Sequence, residues 1–471
     1  MSDVELAFTP AWRLRELVAA REVSPVEVTE HLLRRIEALN PTLHAYLTVC
    51  AEEALAEARA AEGAVLRREA LGPLHGVPLS VKDLLPTRGV RTTYGSLAFR
   101  DHVPDRDAIA VERVRAAGAV ILGKTNTSEF GHSATTENRL GDHGRNPWDP
   151  ERTAGGSSGG AAAAVAAGLG PLAIGSDGGG SIRVPSAFCG VFGIKPTQGR
   201  VPAEGPNGMP LFGQSGPIAR TVRDAALLLQ VLAGPDRRDP ACLRTPPPDF
   251  VAALEGGVRG LRVAFSPTLG GYAPTDPQVR AAVAAAANVF ARELGCAVEE
   301  AAPPMEDPPA VFGPIVLADS YAAQGFLLEG HAEELMPYVR RTLERGREVT
   351  GAEYSRALRG LERHRAAVAE FFERFDLLLL PATAVPAFRC GQRPRVVDGQ
   401  PVSTLWGAFP FTMPFNLTGQ PAASVPCGFS DEGLPLGLQV VGRLGEEATV
   451  LRAAAAFEAV RPWAQRRPPV A

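Results

Sequence analysis

Residues 155–197 read GGSSGGAAAAVAAGLGPLAIGSDGGGSIRVPSAFCGVFGIKPT, and their pattern decides the fold class. A glycine-rich turn at 155–160 opens an alanine-rich helix at 161–167, residues 171–175 read as a strand, and a second glycine-rich turn, 178–180, follows. The alternation extends outward from this stretch. In LGPLHGVPLSVKD (71–83) the apolar run Val77–Val81 predicts a buried strand ending at Lys82. Residues 107–117 predict a helix before the strand AVIL at 119–122. Further upstream, Val26, Val28, Leu32, Leu33, Ile36 and Leu39 recur at helical spacing behind Ser24-Pro25, an N-cap and N1 pair, and a second helix covers about 51–69.

Downstream, 235–260 is a Pro- and Arg-rich surface excursion, Leu261–Phe265 and Leu377–Leu380 are strands, and 331–375 is helical and charge-rich. The end, LPLGLQVVGR (434–443) then EEATVLRAAAAFEAV (446–460), reads as strand then helix. Short apolar strands alternating with helices describe an α/β protein whose sheet is buried on both faces. With no internal repeat and no long linker, residues 1–471 read as a single large domain.

Composition narrows the function classes. The chain is 45% hydrophobic and 21% charged with net charge −4, an ordinary globular profile that argues against a general nucleic-acid surface, leaving room only for a local basic patch. The start, MSDVELAFTPAWRLREL, has no apolar signal core, and no run of 18 apolar residues occurs, so the expectation is a cytoplasmic protein with no membrane segment. Six scattered cysteines (Cys50, Cys189, Cys242, Cys296, Cys390, Cys427) without C-x-x-C spacing read as free thiols, with no metal site. Of 48 cationic side chains only Lys82, Lys124 and Lys195 are lysine. A position that stays lysine in such a chain is a candidate for what arginine cannot do, namely lose its proton.

Three motifs compete. Gly118–Thr125, GAVILGKT, fits a phosphate-binding loop, but its four inner residues are strand material after a helix, the inverse of the required context, so Lys124 reads as a buried strand end. Gly155–Gly159, GGSSG, fits a nucleophile elbow with Ser157 as nucleophile, but no apolar strand precedes it, and His331 and His364, the only downstream histidines, read as surface residues. The third reading joins the two serine loops, whose key serines lie 24 residues apart, to Lys82. Glycine-rich turns let successive N–H groups face an anion, and a serine nucleophile needs an adjacent base. With no histidine near either loop in sequence, that base is a desolvated lysine.

The stretch 155–197 resembles the signature of the amidase signature family. LGPLHGVPLSVKD resembles that family's lysine segment, and ILGKTNTSEFG (121–131), FTMPFNLTGQPAASVP (411–426) and LPLGLQVVGR follow in the family's order. The matches run from about residue 10 to 460 and are densest at 71–224. The resemblance implies a mixed sheet covered by helices and places the family's lysine on Lys82, its bridging serine, usually preceded by a cis peptide, on Ser157, and its nucleophile on Ser181. Its oxyanion-hole amides fall on Gly178, Gly179, Gly180 and Ser181. Asp177 and Arg183 are expected behind the reacting groups, and Lys195 is read as structural. Position 178 is commonly Thr in the family and is Gly here, which implies a wider pocket at that point.

The implied activity is hydrolysis of a carboxylic amide through an acyl-Ser181 intermediate, without metal or cofactor. Lys82 must then be neutral, and moving its pKa from about 10.4 to about 7 corresponds to roughly 5 kcal/mol against the charged form. The expected partner is a small-molecule amide, and the oligomeric state is open, a homodimer included. Substrate contacts are expected in 205–215, 305–375 (a helical lid or wall) and 403–415. Two rivals stand beside this reading. One is the A-type, glutaminase component of a tRNA-dependent amidotransferase, whose MDEFAMGSS-like stretch is missing from TNTSEFGHSATTEN (125–138). The other is a catalytically silent binding protein.

Overall fold

The structure, a computed structural model, describes residues 3–204 and 209–471. The expected contacts at 205–208 and the first two residues of the N-terminal reading therefore lie outside the described residues. Eleven strands form one mixed sheet: β1 (Tyr46–Val49), β2 (Pro78–Lys82), β3 (Val120–Thr125), β4 (Leu172–Asp177), β5 (Phe192–Lys195), β6 (Gln214–Ala219), β7 (Arg262–Phe265), β8 (Ala297–Glu300), β9 (Leu377–Pro381), β10 (Ala422–Phe429) and β11 (Pro435–Gly442). Their order is β1-β3-β2-β4-β6-β5-β10-β11-β9-β7-β8. Strands β3, β2 and β4 run parallel, with Lys82 opposite Thr125 and Val81 opposite Ile174, so their C-terminal ends meet on one edge. β6 runs antiparallel to β4 and pairs Gln214 with Asp177, which brings its first residues to that same edge.

The apolar runs split between two faces because strand side chains alternate. Leu79, Val81, Leu172, Ile174, Leu377 and Leu379 join one core with the helices Ile109–Ala116, Val222–Leu232, Pro277–Arg292 and Glu447–Val460. On the other face Val120, Leu122 and Ala173 pack on the helices Pro25–Leu43 and Gly159–Ala166, while Leu378 and Leu380 pack on Phe371 and Phe372 of the helix Gly351–Arg374. The Ser24 hydroxyl accepts from the Val26 and Glu27 amides at the start of the first of these helices, as the Ser-Pro pair predicts.

One expectation needs correction. His364 is buried, 3% exposed, rather than on the surface, since it sits on the core side of its amphipathic helix; His331 is exposed beside Glu334. The helix Pro308–Gln324, continued by a 3₁₀ turn to Glu329, is long and apolar enough by length and composition to span a bilayer, a feature the search for unbroken apolar runs passes over because Asp319 and Ser320 interrupt it. It lays Val311, Phe312, Ile315 and Val316 onto Phe212, Met413 and Leu417.

Helix Gly159–Ala166 contains only glycine, alanine and valine because it is buried on every side. A Cβ on Gly160 would stand 2.4 Å from the Asn126 nitrogen and 2.5 Å from the Ala45 carbonyl oxygen, both backbone atoms. Gly160→Ala should therefore lower stability by about 1–3 kcal/mol or more, read by denaturant titration.

Candidate active site

The edge where β2, β3 and β4 end carries a cavity of about 760 Å³, the usual place for a site in such sheets. Lys82, the last residue of β2, is fully buried. Its Nζ lies 2.6 Å from Ser157 Oγ, 3.0 Å from Ser176 Oγ and 3.2 Å from the Ser176 carbonyl oxygen. Burial lowers its pKa to about 7, against a smaller opposing pull from Asp177. Lys195 is lowered equally, to about 7, and Lys124 to about 8, both mainly by burial. The lowered pKa alone therefore does not single out Lys82; its serine contacts do. Lys195 Nζ donates to the Pro196 carbonyl oxygen at 2.9 Å. Lys124 donates to Thr87 Oγ1 at 2.9 Å, Thr92 Oγ1 at 2.8 Å and the Leu85 carbonyl, tying down the segment that leaves β2. It lies at the end of a strand, as expected, and also faces the buried Asp83 carboxylate at 3.9 Å.

Ser157 follows a cis peptide bond. Its loop is held by Thr136, whose hydroxyl donates to the Gly155 carbonyl at 2.8 Å and accepts from the Gly159 amide at 3.0 Å. Position 156 must be glycine, because a Cβ there would meet the Thr135 backbone at 2.6 Å. The strand Asp149–Thr153 that precedes this loop pairs with Arg145–Asn146 and bridges Arg389, outside the main sheet, and among the described residues no histidine is hydrogen-bonded to Ser157.

Ser181 shares the cavity wall with Ser157 and Ser176, and its carbonyl accepts from the Ser158 amide at 3.1 Å, which joins the two serine loops. Among the described residues the Ser157 and Ser181 hydroxyls are not directly hydrogen-bonded to one another. The Ser181 loop is built on Asp177. One carboxylate oxygen accepts from the Gly180 amide at 2.8 Å and Asn416 Nδ2 at 2.9 Å; the other accepts from the Ile182 amide at 3.1 Å. Arg183 grips both oxygens, Nε and Nη2 each at 2.9 Å, and also donates to Gln439 Oε1 at 2.7 Å and the Thr412 carbonyl at 2.8 Å. Burial pushes the Asp177 carboxyl up, but Arg183 and Asn416 hold it well below the usual carboxylate range. The sequence reading has all four amides from Gly178 to Ser181 facing a ligand; the Gly180 amide instead turns inward to Asp177, leaving those of Gly178, Gly179 and Ser181. Gly180 has φ +129°, and a Cβ there would stand 2.2 Å from Thr412 Oγ1.

Of the regions expected to touch substrate, Met209, Gly213, Gln214 and Ser215 line the cavity, as do Ala323, Gln324 and Phe326; from 403–415, Trp406 stands 3.2 Å from the Cβ position of Gly179 and the Thr412 hydroxyl donates to the Gly179 carbonyl at 2.8 Å. The largest part of the wall comes from 84–110 and from Phe130, which sequence reasoning missed. There Tyr94, Phe99, His102 and Phe130 form a ring cluster, Tyr94 and Phe99 edge to face at 5.3 Å and Phe99 and Phe130 at 5.9 Å. A run of aromatic residues in a turn-rich segment is the signal that was there to be used. Ser176 was also missed; a polar residue at the end of an apolar strand marks it.

This mixed sheet of eleven strands, with Lys82 at the end of one parallel strand and the Ser181 loop after another, has the fold of amidase signature enzymes. Residues 27–451 match the amidase family, and the chain belongs to it. It is 39% identical to an acylamidase of Rhodococcus erythropolis over 99% of this chain and 98% of that one. It is 41% identical to the A-type component of the glutamyl-tRNA(Gln) amidotransferase of Moorella thermoacetica over 99% of both. The crystal structure of a bacterial aryl acylamidase of the amidase signature family superposes with a TM-score of 0.92 at 34% identity, covering 97% of each chain.

Asp177 and Arg183 are both wholly buried, so removing one strands the other. Arg183→Met should cost about 3–5 kcal/mol in denaturant titration. Arg183→Lys should recover little, because an ammonium cannot make the two-pronged contact.

Proposed function

We propose that this protein is a stand-alone hydrolytic amidase that works through an acyl-Ser181 intermediate. The observation that carries the reading is the 2.6 Å contact between buried Lys82 and Ser157, in a cavity wall shared with Ser181. A neutral amine donates two hydrogens and accepts one. Ser176 Oγ and the Ser176 carbonyl take the two donors, and the lone pair takes the Ser157 O–H. As substrate enters, the Ser181 side chain turns toward Ser157, gives it a proton, and attacks the amide carbonyl, while Ser157 passes its own proton to Lys82. Catalytic hydrogen bonds that are open in the free enzyme commonly close in this way. The amides of Gly178, Gly179 and Ser181 hold the oxyanion, each such donor contributing about 3–4 kcal/mol. The proton returns through Ser157 to the departing nitrogen as the C–N bond breaks. Water then cleaves the acyl ester by the same relay.

The substrate class we propose is an uncharged amide with an apolar or aromatic substituent. The ring cluster, Leu84 and Met209 supply apolar wall, and Arg106 at the same cavity faces Glu204 at 3.8 Å rather than standing alone. The aryl acylamidase neighbour supports the same class. The competing reading is the glutaminase component of an amidotransferase, which the 41% identity to the Moorella thermoacetica chain favours. Against it, free glutamine brings two full charges, and the buried carboxylate of the cavity, Asp177, is already engaged by Arg183 and Asn416. Ammonia release from glutamine, with none from acyl anilides, would reverse the choice.

Ser181→Ala should abolish hydrolysis of an acyl anilide and reaction with a fluorophosphonate while leaving the thermal midpoint near wild type. Lys82→Arg should be nearly as inactive as Lys82→Ala, since arginine keeps its proton; wild-type turnover by Lys82→Arg would place the base elsewhere. The neutral form of Lys82 is the active one and its pKa is lowered to about 7, so kcat/KM should rise with pH through about 7 and level off above it. A profile that falls across that range would contradict the assignment.

A further inference from the structure

The glycine at position 178 does not leave open space, contrary to the expectation of a wider pocket. A Cβ there would stand 2.4 Å from Met209 Sδ, and the next nearest atoms are Met209 Cβ and Cγ at 3.7 Å. Gly178 is not among the glycines with positive φ, so its backbone conformation admits any residue. Space rather than backbone conformation favours glycine here, and the three nearest atoms in that space all belong to Met209. The Met209 side chain is held from behind, packed on the cluster that contains Phe212 and Phe312. Its carbonyl oxygen accepts from the Phe212 amide at 3.2 Å and the Gly213 amide at 2.8 Å. Both Gly178 and Met209 line the cavity that Ser181 enters.

We infer that Met209 is a specificity-determining residue: its thioether, standing where a side chain at 178 would go, lies against the first residue of the Ser181 loop and limits the bulk of the amide substituent there. This rests on the amidase reading given above. A thioether is polarizable and has three rotatable bonds, so it yields to flat or straight-chain groups and not to branched ones. Pocket contacts of this kind change kcat/KM ratios by about 10- to 200-fold per methylene-sized change.

The experiment compares acetyl with pivaloyl p-nitroanilide, and a small with a branched fluorophosphonate, in wild type, Met209→Leu, Met209→Ala, Gly178→Thr and the Gly178→Thr/Met209→Ala pair. Met209→Ala should raise the branched-to-small ratio of kcat/KM, and of labelling rates, by about tenfold or more. Met209→Leu should stay within threefold of wild type. Gly178→Thr should lose thermal stability and activity together, and the double variant should regain most of both. A ratio unchanged in Met209→Ala, or a double variant as impaired as the sum of its parts, overturns the inference. If Gly178→Thr does not fold, a folded double variant supports the pairing and an unfolded one overturns it. Wild type that cleaves neither anilide and leaves Ser181 unlabelled would instead overturn the amidase reading, and the thermal cycle would still decide the packing claim.

Discussion

Everything at this site depends on an amine that the architecture keeps dry. Parallel strands are covered on both faces, and all five residues of β2 are buried, Lys82 included. The side chain that closes such a strand has no path to bulk solvent except through the cavity its own end helps to form. Desolvation is thus a property of the fold rather than of a special neighbour, and it moves the amine toward the pH at which it can exchange protons. The oxygens around Nζ number three, enough to satisfy a neutral amine completely. In the proposed relay, Ser157 at the lone-pair position uses the same geometry for stability and for chemistry.

That arrangement creates an electrostatic difficulty next door. Asp177 ends β4 beside Lys82, and a free carboxylate there would favour the charged amine. Arg183 removes the difficulty. Its guanidinium caps both oxygens, so the pair presents little net charge to Lys82, and the same carboxylate is left to shape the Ser181 loop through the Gly180 and Ile182 amides. One buried ion pair therefore preserves the base and builds the turn that offers the neighbouring amides. Turning the Gly180 amide inward is the cost of that turn, and the three remaining amides follow from it.

The elements with strong local patterns were legible in the sequence: β2, the helix behind Ser24-Pro25, the alanine helix after the first serine loop, and the strand–helix end. The strands that were not are short or broken by proline and glycine. β5 carries Gly193, β6 carries Gly216 and Pro217, and β8 spans Ala297–Glu300 with Glu299 and Glu300 exposed. Their place comes from pairing with neighbours distant in the chain, as when Ser424 of β10 meets Gly193. The contact of Lys82 with Ser157, and the cavity wall that Ser157 shares with Ser181, follow the expectation built on a rare lysine at a strand end and two glycine-rich loops. The aromatic wall was not legible, since Tyr94 and Phe99 lie in turns without periodicity and converge with Phe130 only after Lys124 has tied their segment to β3. The segment 125–138 places Phe130 on the cavity and Thr136 under the Ser157 loop.

The three lysines of this arginine-rich chain make the remaining point. All three are wholly buried, and burial lowers all three, so neither rarity nor pKa distinguishes a base from a tie. What lies opposite each amine does. Lys124 meets two threonine hydroxyls and a carbonyl of one loop and the buried Asp83 carboxylate at 3.9 Å, and there the amine serves best as a fixed donor. Lys195 meets the carbonyl of the residue that follows it. Lys82 alone meets a serine whose own loop is tied, through the Ser158 amide and the Ser181 carbonyl, to a second serine at the cavity. A buried amine becomes a base only when the hydroxyl it holds is within a side-chain rotation of another that substrate can reach.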